Sequence, residues 1–295
     1  MRAVGLVGGE PIARTQTLEI REGELRAVAV EDPQDHWSAG TMTIGTEPVV
    51  IPRLLLIALP GAPLTLQELF ALAPPRCRDG HETGLARTDA CRRPAPDITG
   101  QRPPAAPPID TTPRTSLDPT PSYDPPVGVV RMTAARTSDG RLVATEVSLA
   151  KGRETVFGAV TFVDVHHGYL RIGGANGLDI GGTILRLNDP TAQQSTQQGP
   201  GCSTEGNCSP DARFRLDPLR ATVRFASGPA ACMPSDIPGD LCARSVRPLN
   251  EPADAVTLVP IEPGDHVTAT GHFEVVDGIR IFWAHTLVDT ARFER

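Results

Sequence analysis

Apolar and polar residues alternate with a period of two over most of this chain, and Gly, Asp and Pro interrupt the alternation at short intervals. A period of two describes half-buried strands rather than helices. "TLEIREGELRAVAV" (17–30) reads as two strands around Glu22-Gly23, and "GTMTIGTEPVVIP" (40–52) as a hairpin turning at Gly45-Thr46. "GVVRMTAARTSDGRLVATEVSLA" (128–150) reads as a hairpin on Asp139-Gly140, since Asp-Gly between alternating runs is the strongest short hairpin signal. Two more hairpins are expected, over 156–174 turning at His166-His167-Gly168 and over 266–289 turning at Asp277-Gly278. Only "PLTLQELFALAP" (63–74) has helical spacing. Thr65 and Glu68 form a capping box, Leu66, Leu69, Phe70 and Leu72 follow helical spacing, and Pro74-Pro75 should end the helix. "DPLRATVRF" (217–225) holds at most one further helical turn.

A weak repeat runs through these strands. "EGELRAVAVE" (22–31) and "DGRLVATEVS" (139–148) share a turn, two strand residues, Ala and alternating Val. "DGIRIFWAHTLVD" (277–289) is a looser copy with two extra residues before Ala284. Short strands with Gly at their bends suit small barrels. The expected fold is all-β, built from two or three small OB-like barrels or curled antiparallel sheets, with one short helix near 65–73. One third of the segment from Pro94 to Pro126 is Pro, as a polyproline-like connector would be. It divides the chain into an N-terminal β unit (1–93), a Pro-rich linker (94–126) and a C-terminal unit (127–295).

Composition narrows the function classes. The formal net charge is −7, which disfavours binding to a phosphate backbone. Lys151 is the only lysine, and Pro (30) and Gly (28) are abundant, which fits turns rather than long helices. The most apolar run, "VVIPRLLLIALPGAPL", is broken by Pro52, Arg53 and Pro60 and is too short to span a membrane. The first residues show no apolar core of the kind a secretory signal needs, so the compartment is read from the cysteines.

Cys77, Cys91, Cys202, Cys208, Cys232 and Cys242 fall into three sequential pairs, none of them a CxxC knuckle. Loops of this length in Pro/Gly-rich segments favour nearest-neighbour disulfides over zinc, and hence an oxidising extracellular or periplasmic setting.

The runs "GAVTFVDVHHGYLRIGG", "GGTILRLNDP", "GCSTEGNCSPDARFRLD", "CMPSDIPGDLC" and "PGDHVTATGHFEVVDG" resemble an uncharacterised family of secreted bacterial and fungal β-rich proteins. The last run is also similar to OB-like repeat domains of unknown function in exported bacterial proteins. The resemblance covers roughly 127–295, and the cysteines at Cys202, Cys208, Cys232 and Cys242 stand where the family's do. It implies export and a barrel-like fold, and it implies no activity.

Several constellations carry candidate chemistry. His266 and His272 share a strand face, and His285 on the return strand can approach them. Three imidazoles on one sheet can hold zinc, although a polar solvated face gives the same pattern. Asn188, Asp189, Asp211 and Asp217 surround the Cys202–Cys208 loop, a set that suits either calcium or turn caps before Pro. Asp189 with Asp211 is the acid–base pair a hydrolase would use. The "GGANGLDIGG" run (173–182) precedes a strand, so it is read as a β-loop with positive φ angles rather than a phosphate cradle. In "IRIFWAH" one of Phe282 and Trp283 should be core and the other exposed. The residues favour a non-enzymatic binding or structural module whose interaction face is Asn188, Asp189, Asp211 and Trp283. Its expected partner is carbohydrate or a cell-surface protein, with no nucleic acid, no membrane span and no cofactor. An extracellular hydrolase, helped by calcium, and a histidine-based metal protein are the alternatives.

Overall fold

The computed structural model describes residues 6–7, 10–11, 18–30, 37–92, 126–152, 154–165, 168–189, 194, 211–216, 222–234, 242, 258–276 and 279–290. Their regular structure is mainly strand, and they form two compact units that meet in sequence between 152 and 154.

In the first unit, β1 (Leu18–Val30), β2 (Ser38–Ile44) and β3 (Glu47–Pro52) form a meander. A short strand, β4 (Ile57–Ala58), and two short helices, α1 (Leu66–Ala71) and α2 (Pro75–Arg78), follow. The hairpin of β5 (Gly128–Arg136) and β6 (Leu142–Lys151) then adds to the free side of β1. Val49 and Val50 of β3 pair in parallel with Leu142 and Val143 of β6, and the sheet closes into a five-stranded barrel. Ile57 of β4 extends β6 beyond the closure, opposite Val147.

Three details differ from the sequence reading. Residues 18–30 are one continuous strand, because Gly23 serves a bend rather than a turn: Leu18–Glu24 pair with β5 and Leu25–Val30 with β2. The residues around 128–151 complete the first barrel, so the Pro-rich segment joins two parts of one unit in sequence instead of separating two units. α1 ends before Pro74-Pro75 as expected, but Pro75 also starts a second helix, α2, that the sequence reading did not include. A proline at the first helical position loses no hydrogen bond. The Thr65–Glu68 capping box is as expected. The Pro-rich segment from 94 to 125, the turns at His166-His167 and Asp277-Gly278, and Asp217 lie outside the described residues.

The second unit repeats the first in sequence order and pairing. β7 (Glu154–Asp164), β8 (Tyr169–Ile172) and β9 (Thr183–Leu187) form the meander, β10 (Val223–Phe225) is the short extra strand, and β11 (His266–Val276) and β12 (Ile279–Asp289) the closing hairpin. β9 closes on β12 in parallel, and β10 extends β12, with Val223 opposite Leu287. Even the irregularities coincide. The first strand bulges against the second at Arg26 and at Thr161, and the closing hairpin bulges at Thr145 and at His285. Superposing these bulges makes Ala144 equivalent to Ala284, as the repeat in sequence suggested. "DGRLVATEVS" and "DGIRIFWAHTLVD" occupy the same hairpin, whereas "EGELRAVAVE" belongs to a first strand.

Glycine is required where the strands bend. A Cβ on Gly23 would lie 3.2 Å from Ile44 Cγ2, and one on the equivalent Gly158 lies 3.0 Å from Ile172 Cγ2. At the second bulge, a Cβ on Gly271 would lie 2.0 Å from the Trp283 carbonyl oxygen. The barrel interior of the second unit is packed with Val160, Leu170, Leu185, Leu187, Phe282 and Leu287 among others, Phe273 stacking edge-on against Phe282 at 4.9 Å.

Gly271→Ala is therefore expected to cost about 2–4 kcal/mol in a denaturant titration, by driving backbone into backbone. Ala134→Gly, at the equivalent place in the first barrel, is expected to cost about 1 kcal/mol or less.

Candidate functional site

The two barrels differ most on one outer wall. In the second, the outward residues of β8, β9 and β12 are Tyr169, Arg171, Ile184, Arg186, Ile281 and Trp283, and all are buried. By register, the first barrel carries Thr41 for Tyr169, Thr43 for Arg171, Val50 for Arg186 and Val143 for Trp283. The same barrel thus closes with small or apolar residues at these four positions, with Arg141 in the place of Ile281, and the buried charged and aromatic set is not a requirement of the fold. Tyr169 packs against Phe162, with ring centroids 6.3 Å apart, and the Arg186 guanidinium stands 5.6 Å from the Tyr169 ring centre. Burial lowers the Arg186 pKa to about 10. Burial, and then the bond to Asp179, pushes the Tyr169 hydroxyl far above the usual phenol range.

The end of this wall is covered by the segment 211–216. Asn188 continues β9 by donating its backbone N–H to Ala284 O at 2.9 Å. Its Nδ2 donates to Phe214 O at 2.7 Å, and its own carbonyl accepts from Leu216 N at 2.8 Å. Asn188 is thus a buried clamp. Asp211 and Arg213 form a fully buried bidentate ion pair, with both N–O distances 2.7 Å. Such pairs are held in place by the large cost of leaving one member uncompensated. Asp189 accepts from Gln194 N at 2.7 Å, and Gln194 in turn bonds Val223 O and Met233 N. That is the turn-capping role the sequence allowed for an Asp before Pro.

Two of the three candidate histidines come together. His272 is fully buried, with Nε2 3.3 Å from Glu274 Oε1 and Phe214 edge-on to its ring at 6.1 Å. His285 is the extra residue of the bulge, so its side chain is aimed differently from those of its neighbours. It is 8% exposed. Burial, and secondarily the nearby His272, lower its pKa to about 4. His266 stands apart, exposed at the start of β11. Six residues of strand separate it from His272, about 20 Å, so the three imidazoles do not share one ion. Among the described residues no group of three or more His, Cys, Asp or Glu side chains is placed to hold a metal.

Of the expected interaction face, Asn188, Asp189, Asp211 and Trp283 gather at one end of the second barrel, but all four are buried. The expectation that either Phe282 or Trp283 is exposed is corrected: Phe282 fills the barrel interior and Trp283 the outer wall. The face is a covered outer wall of the barrel, not an open surface. Three of its polar atoms, Asn188 Oδ1, Trp283 Nε1 and His285 Nδ1, are buried without a hydrogen-bond partner. All three belong to residues within one position of the Leu187–Ala284 pairing. The sequence reading missed Tyr169, Arg171, Arg186 and Asp179. The available signal was the alternation of "GYLRIGG" and "TILRL", where arginine sits on one face of strands that are otherwise apolar.

Cys77–Cys91 and Cys232–Cys242 are disulfides, the nearest-neighbour pairs expected from sequence, while Cys202 and Cys208 lie outside the described residues. Each closes the connection between the third and fourth strands of its barrel. Among the described residues no helix is long and apolar enough to cross a membrane.

His285 is neutral in the fold, while the unfolded chain protonates it near pH 6.5. Between about 6.5 and about 4 the unfolded chain therefore holds more protons, and stability falls as pH falls through that window. The expected loss is on the order of 3 kcal/mol, read from urea midpoints at stepped pH, and His285→Thr, the first barrel's residue, should flatten the slope. Asp211→Asn is expected to cost about 3–4 kcal/mol at neutral pH, by removing the carboxylate charge that offsets buried Arg213.

No family model, curated protein or solved structure matches this chain.

Proposed function

We propose that the chain is an exported, disulfide-stapled binding module of two OB-like barrels, and that its second barrel binds carbohydrate. A meander of three strands, a connection that carries helix in the first barrel, and a closing hairpin whose last strand runs parallel to the third is the order of an OB-like barrel. The two disulfides support an oxidising compartment. The observation that carries the binding role is the set of partnerless buried atoms at Asn188, Trp283 and His285. Buried polar atoms are nearly always paired in a purely structural core, and each unpaired one costs about 1–3 kcal/mol. The first barrel has Pro52, Val143 and Thr145 at the equivalent positions, so the second barrel bears a cost its fold does not impose. Asp189 and Asp211, the pair a hydrolase would depend on, both hold structural partners, which favours binding over hydrolysis.

The test is a glycan array probed with the full chain before and after reduction and alkylation. The oxidised chain is expected to leave Cys77, Cys91, Cys232 and Cys242 unalkylated when denatured, and to bind a defined glycan set that the reduced chain loses. An oxidised, folded chain that binds no glycan would overturn the carbohydrate reading.

A further inference from the structure

The second barrel departs from the first at one more place. Between the second and third strands the first barrel has a two-residue turn, Gly45-Thr46, and the second has ten residues, 173–182. Both turns begin on an equivalent glycine with positive φ, Gly45 at 62° and Gly173 at 70°. The insertion has a narrow neck. A Cβ on Gly174 would lie 2.7 Å from Ile180 O, and one on Gly182 would lie 2.4 Å from Ile172 O, so the two legs touch only because both are glycine. Loops with pinched ends of this kind are compact units and are frequently functional.

The head of the loop folds back over β7 and β8. Gly177 N donates to Thr161 O at 2.8 Å, and Gly174 N to Thr161 Oγ1 at 3.0 Å. Thr161 is the bulged residue of β7. The head places one carboxylate, Asp179, on two side chains of the wall: Tyr169 OH donates to Asp179 Oδ2 at 2.7 Å, and Arg171 Nε donates to Oδ1. Arg171 Nη1 also donates to Gly181 O at 3.0 Å. Apolar burial contributes little to this closure, because Leu178 and Ile180, the large apolar residues of the head, are 55% and 53% exposed. The head is therefore held chiefly by its carboxylate and a few backbone bonds.

A guanidinium and a phenol converging on one carboxylate, beside the ring of Phe162, form a recognition pair already occupied by the chain itself. The first barrel has Thr43 and Thr41 there and no loop, so lid and recognition pair occur together in one barrel and are absent together from the other. We infer that Arg171 and Tyr169 are the subsite for the carboxylate of an acidic sugar, a uronate, and that the 173–182 loop is a lid whose Asp179 fills that subsite until the sugar displaces it. This rests on the carbohydrate reading above. Arginine meets a carboxylate through fixed, directional donors, and the half-buried Phe162 beside Tyr169 offers a planar apolar ring of the kind a pyranose stacks on. That pairing of charge and ring favours a uronate over an acidic peptide.

The experiment is calorimetric titration of the full oxidised chain with a galacturonate tetramer and with the neutral galactose tetramer. Asp179→Asn is expected to bind the galacturonate tetramer at least tenfold more tightly than the wild type, with no change toward the neutral sugar. Adding Arg171→Gln to that variant is expected to remove the gain. Should Asp179→Asn fail to fold, replacing 173–182 by the Gly-Thr turn of the first barrel takes its place and must give the same gain. Equal affinities in folded wild type and variant overturn the lid and its subsite, as does a gain that survives Arg171→Gln. A gain for an acidic peptide without one for the uronate overturns the sugar class. A chain that binds other glycans on the array while failing this test leaves the carbohydrate reading standing and removes only this site.

Discussion

A sheet of five short strands closes on itself only if its first strand serves two neighbours that lie in different directions. In both barrels that strand pairs with the closing hairpin along its first half and with the second strand along its second half. The change of direction falls at a glycine backed by an isoleucine, Gly23 on Ile44 and Gly158 on Ile172, followed by a one-residue bulge. Without that bend the third and fifth strands could not meet in parallel, and each unit would be an open sheet with two unpaired edges. The interior packing, the short extra strand beside the fifth, and the placing of the outer wall all depend on that closure.

Two barrels in the same register provide an internal comparison. The first shows what the fold needs: threonine or valine at the outer-wall positions of Tyr169, Arg171, Arg186 and Trp283, a tight turn, and a threonine in the second bulge that bonds back to Thr133 O. The departures on the second barrel's wall and in its bulge are toward costlier chemistry. Arginines, a tyrosine and a tryptophan are buried on the wall, a histidine occupies the bulge, and an ion pair is sealed beneath Phe214. Burying such groups opposes folding, and sites that keep them without need are where binding is sought first.

The disulfides belong to the same balance. Each staples a short stretch of the long connection that enters a barrel's last hairpin, and in the first barrel that stretch seats Leu85 and Ala86 in the core. The loops span 14 and 10 residues, and closing them restricts the unfolded chain by roughly 3 kcal/mol each. Gly84 makes the first staple fit, since a Cβ there would lie 2.8 Å from Cys77 Sγ.

The hairpins on Gly45-Thr46 and Asp139-Gly140, the Thr65 capping box and the Cys77–Cys91 and Cys232–Cys242 pairs were legible in the sequence, because each is decided by a few adjacent residues. The same locality misled the reading at Glu22-Gly23, where a glycine that looks like a turn relieves a clash with Ile44, a residue about twenty positions away. It also misplaced 128–151, whose partner strand lies across the Pro-rich segment. Trp283 looked like an exposed aromatic because alternation gives a residue's side of a strand but not what lies over that side. The local chain determined strands, turns and staples. Only the tertiary structure decided which strands close together, which face is covered, and that Asp179 reaches Arg171 and Tyr169, because those depend on contacts between residues the sequence keeps apart.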